Sequence, residues 1–178
     1  MPHVKNIYLI GYRCTGKSTI GKMLAASLRV PFIDTDDLIQ EKTGMTIAEF
    51  VAASGWKAFR QMEKDVLKDC MGLETTVIST GGGIVLDEDN RTIIRENGFC
   101  IWLTADEATI LERLSKDRHT DGLRPPLSDF DAATETREMM RIREPLYRQT
   151  RHLAIDTGMR TPEESVSIIC RSLENVRI

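Results

Sequence analysis

The chain has 178 residues, 41% of them apolar and 29% charged, with a net charge of −3 and a pI near 5.7. That is the size and make-up of one globular domain, which excludes collagen-like, low-complexity and largely disordered chains. The mild acidity offers no field for nucleic acid or an anionic membrane surface, so neither is expected as a partner. Four scattered cysteines, Cys14, Cys70, Cys100 and Cys170, form no CxxC pair and have no histidine at metal-ligand spacing. Incidental thiols in a reducing cytoplasm are expected, not a zinc site or a disulfide framework. The first apolar run is too short for a signal peptide, and none reaches transmembrane length.

In chain order, residues 4–10 form a short apolar run ending at Gly11, which predicts a buried strand. The stretch 17–28 has helical periodicity through Ile20, Met23, Leu24 and Leu28. Residues 31–34 read as a second strand, 36–42 and 46–53 as short helices parted by Gly44, and 56–70 as a longer helix. A third strand, 77–79, runs into Gly81-Gly82-Gly83; helix 87–97, strand 99–103 and helix 106–114 follow. The stretch 115–130 is polar and contains prolines. Helix 132–150 (irregular near Pro145), strand 152–155 and helix 162–174 complete the chain. No repeat or linker divides it, so 1–178 is expected to be a single domain. Short β-branched strands alternating with helices predict a three-layer α/β/α architecture with a mostly parallel sheet. Ligands on such sheets bind at the carboxyl ends of the strands, where Gly11, Asp34 and Gly81 would meet.

The segment Gly11-Tyr12-Arg13-Cys14-Thr15-Gly16-Lys17-Ser18, followed by Thr19, fits GxxxxGK[ST] between a strand and an amphipathic helix. Its glycines let backbone N–H groups turn inward on phosphate oxygens, and the helix N-terminus adds partial positive charge. Lys17 can reach the β- and γ-phosphates and Ser18 can ligate Mg²⁺. The alternative, a plain glycine-rich turn, explains fewer of these residues. The motif alone does not separate ATPases, GTPases, small-molecule kinases and nucleotide-binding regulators.

Asp34 and Asp36 would project from one side of an extended segment. One carboxylate can join a Mg²⁺ shell, and one can accept the proton of an attacking hydroxyl. The competing reading is an Asp-rich helix start, with Asp36 or Thr35 as the cap. The third strand lacks the terminal Asp of a standard Walker B, which leaves Asp34 as the candidate Mg²⁺ partner. Three consecutive glycines lose much entropy on ordering and suit a ligand lying on backbone N–H groups, or else a flexible turn. Arg124, before Pro125-Pro126, predicts a lid over about 116–130 that carries an arginine to the transferring phosphate. Arg137, Arg141 and Arg148 read as a solvated helix face; Arg143 does not.

The ordered set GYRCTGKST, DTDDLI, FRQME, TGGG, LRPPL and REPLYR resembles the shikimate kinases over about residues 7–165. The resemblance implies a five-stranded parallel sheet in the order 2-3-1-4-5, a P-loop kinase with a mobile lid, and phosphorylation of shikimate to shikimate 3-phosphate by ATP with Mg²⁺. A monomer with small-molecule substrates is expected. The resemblance places Lys17 on the β/γ-phosphates, Ser18 and Asp34 at the metal, and Asp36 on the ring hydroxyls as the base. Arg60, in a shikimate-binding subregion of about 34–62, and Arg143 would hold the shikimate carboxylate, and Gly81, Gly82 and Gly83 would present N–H groups. Arg124 would be the lid arginine, with Arg113, Arg160 and Pro162 framing the adenine. A two-arginine grip suits a carboxylate. Departures from the family pattern are Trp56 where Glu is common, Val51, Thr80, and Pro126 in the lid. A longer stretch before Arg124 leaves Arg113 and Arg118 as alternatives at the adenine. None of these removes a charged catalytic group. The competing functions are another P-loop small-molecule kinase, such as a gluconate kinase, and a non-catalytic nucleotide-binding shikimate sensor.

Overall fold

The computed structural model describes residues 5–117 and 131–174. Strand β1, Asn6–Ile10, is buried along its whole length. Its side chains alternate between two cores, as a period of two requires. Ile7 and Leu9 join Ile20 and Leu24 of α1 (Lys17–Leu28) and Val166 and Ile169 of α7 (Pro162–Leu173). Tyr8 and Ile10 face the other way, onto Leu67 of α3 (Ile47–Cys70), Ile94 of α4 (Glu88–Asn97) and Tyr147 of α6 (Ala132–Thr150). Truncating one of these fully buried isoleucines to alanine costs about 2–5 kcal/mol.

Strands β2 (Phe32–Asp34), β3 (Val77–Ser79), β4 (Gly98–Thr104) and β5 (Leu153–Asp156) complete the sheet. Its order is β2-β3-β1-β4-β5 and every pairing is parallel. The three-layer domain and the implied strand order are therefore both present. Helix α2, Thr35–Thr43, packs on α3 through Ile39, Ile47, Phe59 and Val66. Helix α5, Glu107–Lys116, meets α6 around Tyr12, Ile110, Met139 and Met140. Among the described residues no helix is long and apolar enough to cross a membrane.

Three local expectations change. The helices read at 46–53 and 56–70 are one helix, α3, bent at Gly55, whose φ of 80° and ψ of 165° break the spiral for a single residue. Thr46 starts α3 with a reciprocal capping box to Glu49. A 3-10 turn, Ile84–Leu86, follows the glycine run where no element was expected. Helix α2 begins at Thr35, one residue earlier than read, because Asp34 itself is the cap and accepts the Asp36 N–H at 3.0 Å. Neither Asp36 nor Thr35 plays that part.

Candidate active site

Each α-helix but one, among the described residues, has its first turn closed by a side chain: Asp34, Thr46, Asp87, Asp106, Asp131 or Thr161. The exception is α1, whose N-cap is Gly16 in the left-handed region with no side-chain cap. The orphan N–H groups of a helix start are a ready anion site, and here they follow the loop 11–18. Gly11 has a φ of 146°, and a Cβ there would collide with the Leu103 carbonyl oxygen, so the loop can leave β1 only through glycine. Thr15 ties the loop to itself by donating to the Tyr12 carbonyl at 2.8 Å.

Lys17 is 8% exposed, and its Nζ donates to the carbonyls of Gly11 at 2.9 Å and Tyr12 at 2.7 Å. The cation is folded along the loop whose N–H groups it would assist. Ser18 Oγ donates to Asp34 Oδ2 at 2.8 Å. A hydroxyl and a carboxylate so placed are hard oxygen donors, which suits Mg²⁺ held by one protein carboxylate together with phosphate oxygens.

Beside the loop lies a cleft of about 770 Å³ lined by Thr15, Gly16, Thr19, Arg113, Arg160 and Pro162, among others. Arg113 spans it, donating to the Cys14 carbonyl at 3.2 Å and to Thr157 Oγ1 and O at 3.1 and 2.6 Å. Thr157, which no sequence signal marked, donates to the Thr15 carbonyl at 3.0 Å and so pins the turn after β5 to the phosphate loop. Arg113, Arg160 and Pro162 thus share one cleft with the loop. Arg118 and Arg124, with residues 118–130 of the lid expected over about 116–130, lie outside the described residues, while Lys116 is the last residue of α5 and Asp117 caps it.

A second cavity, of about 480 Å³, opens on the other side of the loop. Asp36, Arg60, Arg143 and all three glycines line it, so residues far apart in sequence do converge. Asp36 and Asp34 part company, however. Asp34 closes β2 toward Ser18, while Asp36 is already helical and faces the cavity, 6% exposed. The same-side geometry expected of an extended pair does not form, because the cap turns the chain between them.

Glu63 is the residue the sequence reading passed over. It is 1% exposed, pairs with Arg60 Nη1 through Oε2 at 2.5 Å, and shares the cavity with Asp36. Burial raises its pKa, opposed by Arg60, and the Asp36 charge adds to the rise. The three-residue spacing from Arg60 on one helix was the available signal. Arg60 also lies over the rings of Trp56 and Phe59, with Cζ 5.3 and 5.1 Å from their centroids. One guanidinium is thus held by a carboxylate and two aromatic faces.

Close approach explains the glycine run. A Cβ on Gly81 would lie 2.6 Å from Glu63 Oε1 and 2.8 Å from Asp36 Oδ1, and one on Gly83 would strike the Arg60 guanidinium. Gly81 departs from its expected role in one respect: its N–H donates to Thr35 Oγ1 at 3.2 Å. Gly82 is fixed from below by the Tyr147 hydroxyl, which donates to its carbonyl at 2.5 Å. Burial holds that hydroxyl well above the usual phenol range, so it stays a donor. Arg143 is 4% exposed, and its Nε is buried without a hydrogen-bond partner among the described residues. Arg137, Arg141 and Arg148, by contrast, are exposed and paired with Glu107, Glu138 and Glu144, the solvated face expected of them. Arg13, read with the nucleotide loop, turns its side chain into this second cavity.

Comparison with known proteins gives the family. The family model for shikimate kinase matches residues 13–174. Shikimate kinase 2 of Enterobacter sp. (strain 638) is 42% identical, with 94% of each chain covered. Shikimate kinase of Rhodopirellula baltica is 39% identical over 94% of this chain and 90% of that one. The structure of shikimate kinase from Acinetobacter baumannii in complex with shikimate superposes with a TM-score of 0.90 at 30% identity, covering 98% of this chain and 96% of that one.

Proposed function

The chain belongs to the shikimate kinase family, and from that premise we propose how its two cavities divide the transfer of a phosphoryl group. The activity is phosphorylation of shikimate by ATP, giving shikimate 3-phosphate and ADP. The observation that carries the division is the convergence of Arg60, Arg143 and Asp36 on one cavity beside the phosphate loop.

The cleft along Thr15, Arg113 and Arg160 takes the nucleotide. The loop N–H groups and the uncapped start of α1 hold the phosphates, and Lys17 leaves its carbonyl partners for the γ-phosphate. Ser18 and Asp34 would hold Mg²⁺, which when bound neutralises charge on the phosphates and orients them. The metal belongs to this proposal, which the oxygen donor pair supports.

The second cavity takes shikimate. Arg60 and Arg143 grip its carboxylate, a geometry that suits planar forks. Asp36 accepts the proton of the attacking ring hydroxyl as its oxygen bonds to the γ-phosphorus, while the bond to the β-phosphate oxygen breaks and ADP departs with that electron pair. Glu63 fixes Arg60 for that grip. Arg124 as a lid arginine over the phosphates rests on the sequence resemblance alone. Four free thiols fit a reducing cytoplasm.

The test is a coupled assay of ADP release with shikimate, gluconate, AMP or no acceptor. Turnover with shikimate alone is expected. Equal or faster release with gluconate would move the acceptor assignment, and none with any acceptor would leave a binding module.

A further inference from the structure

Arg13 is the third residue of the phosphate loop, yet its guanidinium leaves the donor side. It lines the acceptor cavity with Arg60 and Arg143. There it forms an ion pair with Glu135, a carboxylate 4% exposed in the first turn of α6. Its neighbour Tyr12 is gripped in the same direction. Arg13 Cζ lies 5.6 Å and Arg143 Cζ 5.7 Å from the centroid of the Tyr12 ring. Two adjacent loop residues therefore hold α6 at two places, Glu135 and Arg143, about two helical turns apart. Arg13 Nε and Arg143 Nε are both buried without hydrogen-bond partners among the described residues. Nothing in donor binding requires this: the phosphates are met by backbone, by Lys17 and by the start of α1.

We propose that Arg13 is a positioning residue, whose pair with Glu135 registers α6, and with it Arg143, on the phosphate loop. The proposal rests on the shikimate kinase reading above. A nucleotide that orders the loop N–H groups then also fixes Arg13. Arg13 fixes Glu135, and the acceptor meets an Arg143 whose freedom is already lost. The second ligand binds more tightly for that reason, and the effect is reciprocal. The geometry thus makes one loop serve donor affinity through its backbone and acceptor affinity through its side chains.

Calorimetry of shikimate binding, with and without ADP, tests this on wild type, Arg13→Gln, Glu135→Gln and the double variant. Wild type should bind shikimate several-fold more tightly when ADP is present. In each single variant that ratio should fall toward one, with KM for shikimate at saturating ATP rising by about the same several-fold factor. Affinity for ADP alone should change less than about two-fold. The double variant should be no worse than the poorer single one, since both remove one interaction. Arg13→Lys, which keeps charge but loses the fork, should fall between, and it carries the test if Glu135→Gln does not fold by circular dichroism. A ratio of one in wild type, an unchanged ratio in the single variants, or additive losses would each overturn the proposal. The functional reading fails separately, if wild type shows no shikimate-dependent ADP release.

Discussion

The donor cleft and the acceptor cavity share a loop but are made of different material. On the donor side the binding groups are backbone N–H groups and an uncapped helix start, with Lys17 as the one buried cation among the loop's side chains. On the acceptor side they are side chains, Asp36, Arg60, Glu63 and Arg143, brought from α2, α3 and α6 onto the glycine run. Backbone recognises what every nucleotide has, a chain of phosphates. On the proposed reading, side chains of both signs in a small cavity select one pattern of carboxylate and hydroxyls. The first kind of site survives most side-chain changes; the second stands or falls on single residues.

Lys17→Ala is the exception on the donor side and should give the largest loss, on the order of 10³-fold or more in kcat, because charge neutralisation is most of what phosphoryl transfer asks of the protein. Single-turnover kinetics check it; a variant keeping more than a tenth of wild-type kcat breaks the loop assignment. Asp36→Asn keeps shape but cannot take a proton, and should lower kcat by about 10²–10⁴ with ATP affinity unchanged. Wild-type turnover in that variant would reduce Asp36 to a helix residue. Arg60→Met and Arg143→Met should each raise KM for shikimate about ten-fold or more, leaving KM for ATP alone, since a charge-assisted bond is worth about 1.5–3 kcal/mol. A fall confined to ATP affinity would erase the difference between the two cavities.

The smallest effect concerns stability. Burial raises the pKa of Glu63 in the fold above its ordinary value of 4.5, so the folded state resists its charge. That group's contribution to stability is full below the unfolded value and is lost as pH rises through the raised folded value. Glu63→Gln should therefore be the more stable protein at neutral pH, by about 2–4 °C in Tm for each kcal/mol gained, with the advantage vanishing in acid. Its KM for shikimate should rise, because Arg60 loses its charged partner. A destabilised Glu63→Gln at pH 7, in thermal melts, would mean that the Arg60 pair outweighs desolvation.

The same contrast decided what could be read from sequence. The phosphate loop is eight consecutive residues with fixed chemistry, and the strand before it and helix after it follow from apolar period alone. The acceptor set is scattered: Arg143 was set apart from its exposed neighbours, but Arg60, and the carboxylate as the partner of both, entered through a resemblance, not through any local pattern. Glu63 was missed because a carboxylate at helical spacing from an arginine looks like a solvated pair, and only the fold buries it. The Asp34–Asp36 pair was misjudged because a cap changes the chain's periodicity between them, which propensity cannot locate to one residue. The glycine run was read as a place for a ligand on backbone N–H groups, and in the structure the bodies packed close against it are the protein's own Glu63, Asp36 and Arg60.

The bend at Gly55 has a use in design. A Cβ there would meet nothing within 4 Å, so only its φ of 80° keeps other residues out. Ile47 lies before the bend, and Trp56, Phe59, Arg60 and Glu63 lie after it, yet all five face one cavity. The bend and the charged side chains proposed to hold the acceptor therefore sit at different positions. An engineer seeking a bulkier or slimmer acid can vary the joint and leave the ion pairs untouched, as a jaw is reset without changing its teeth.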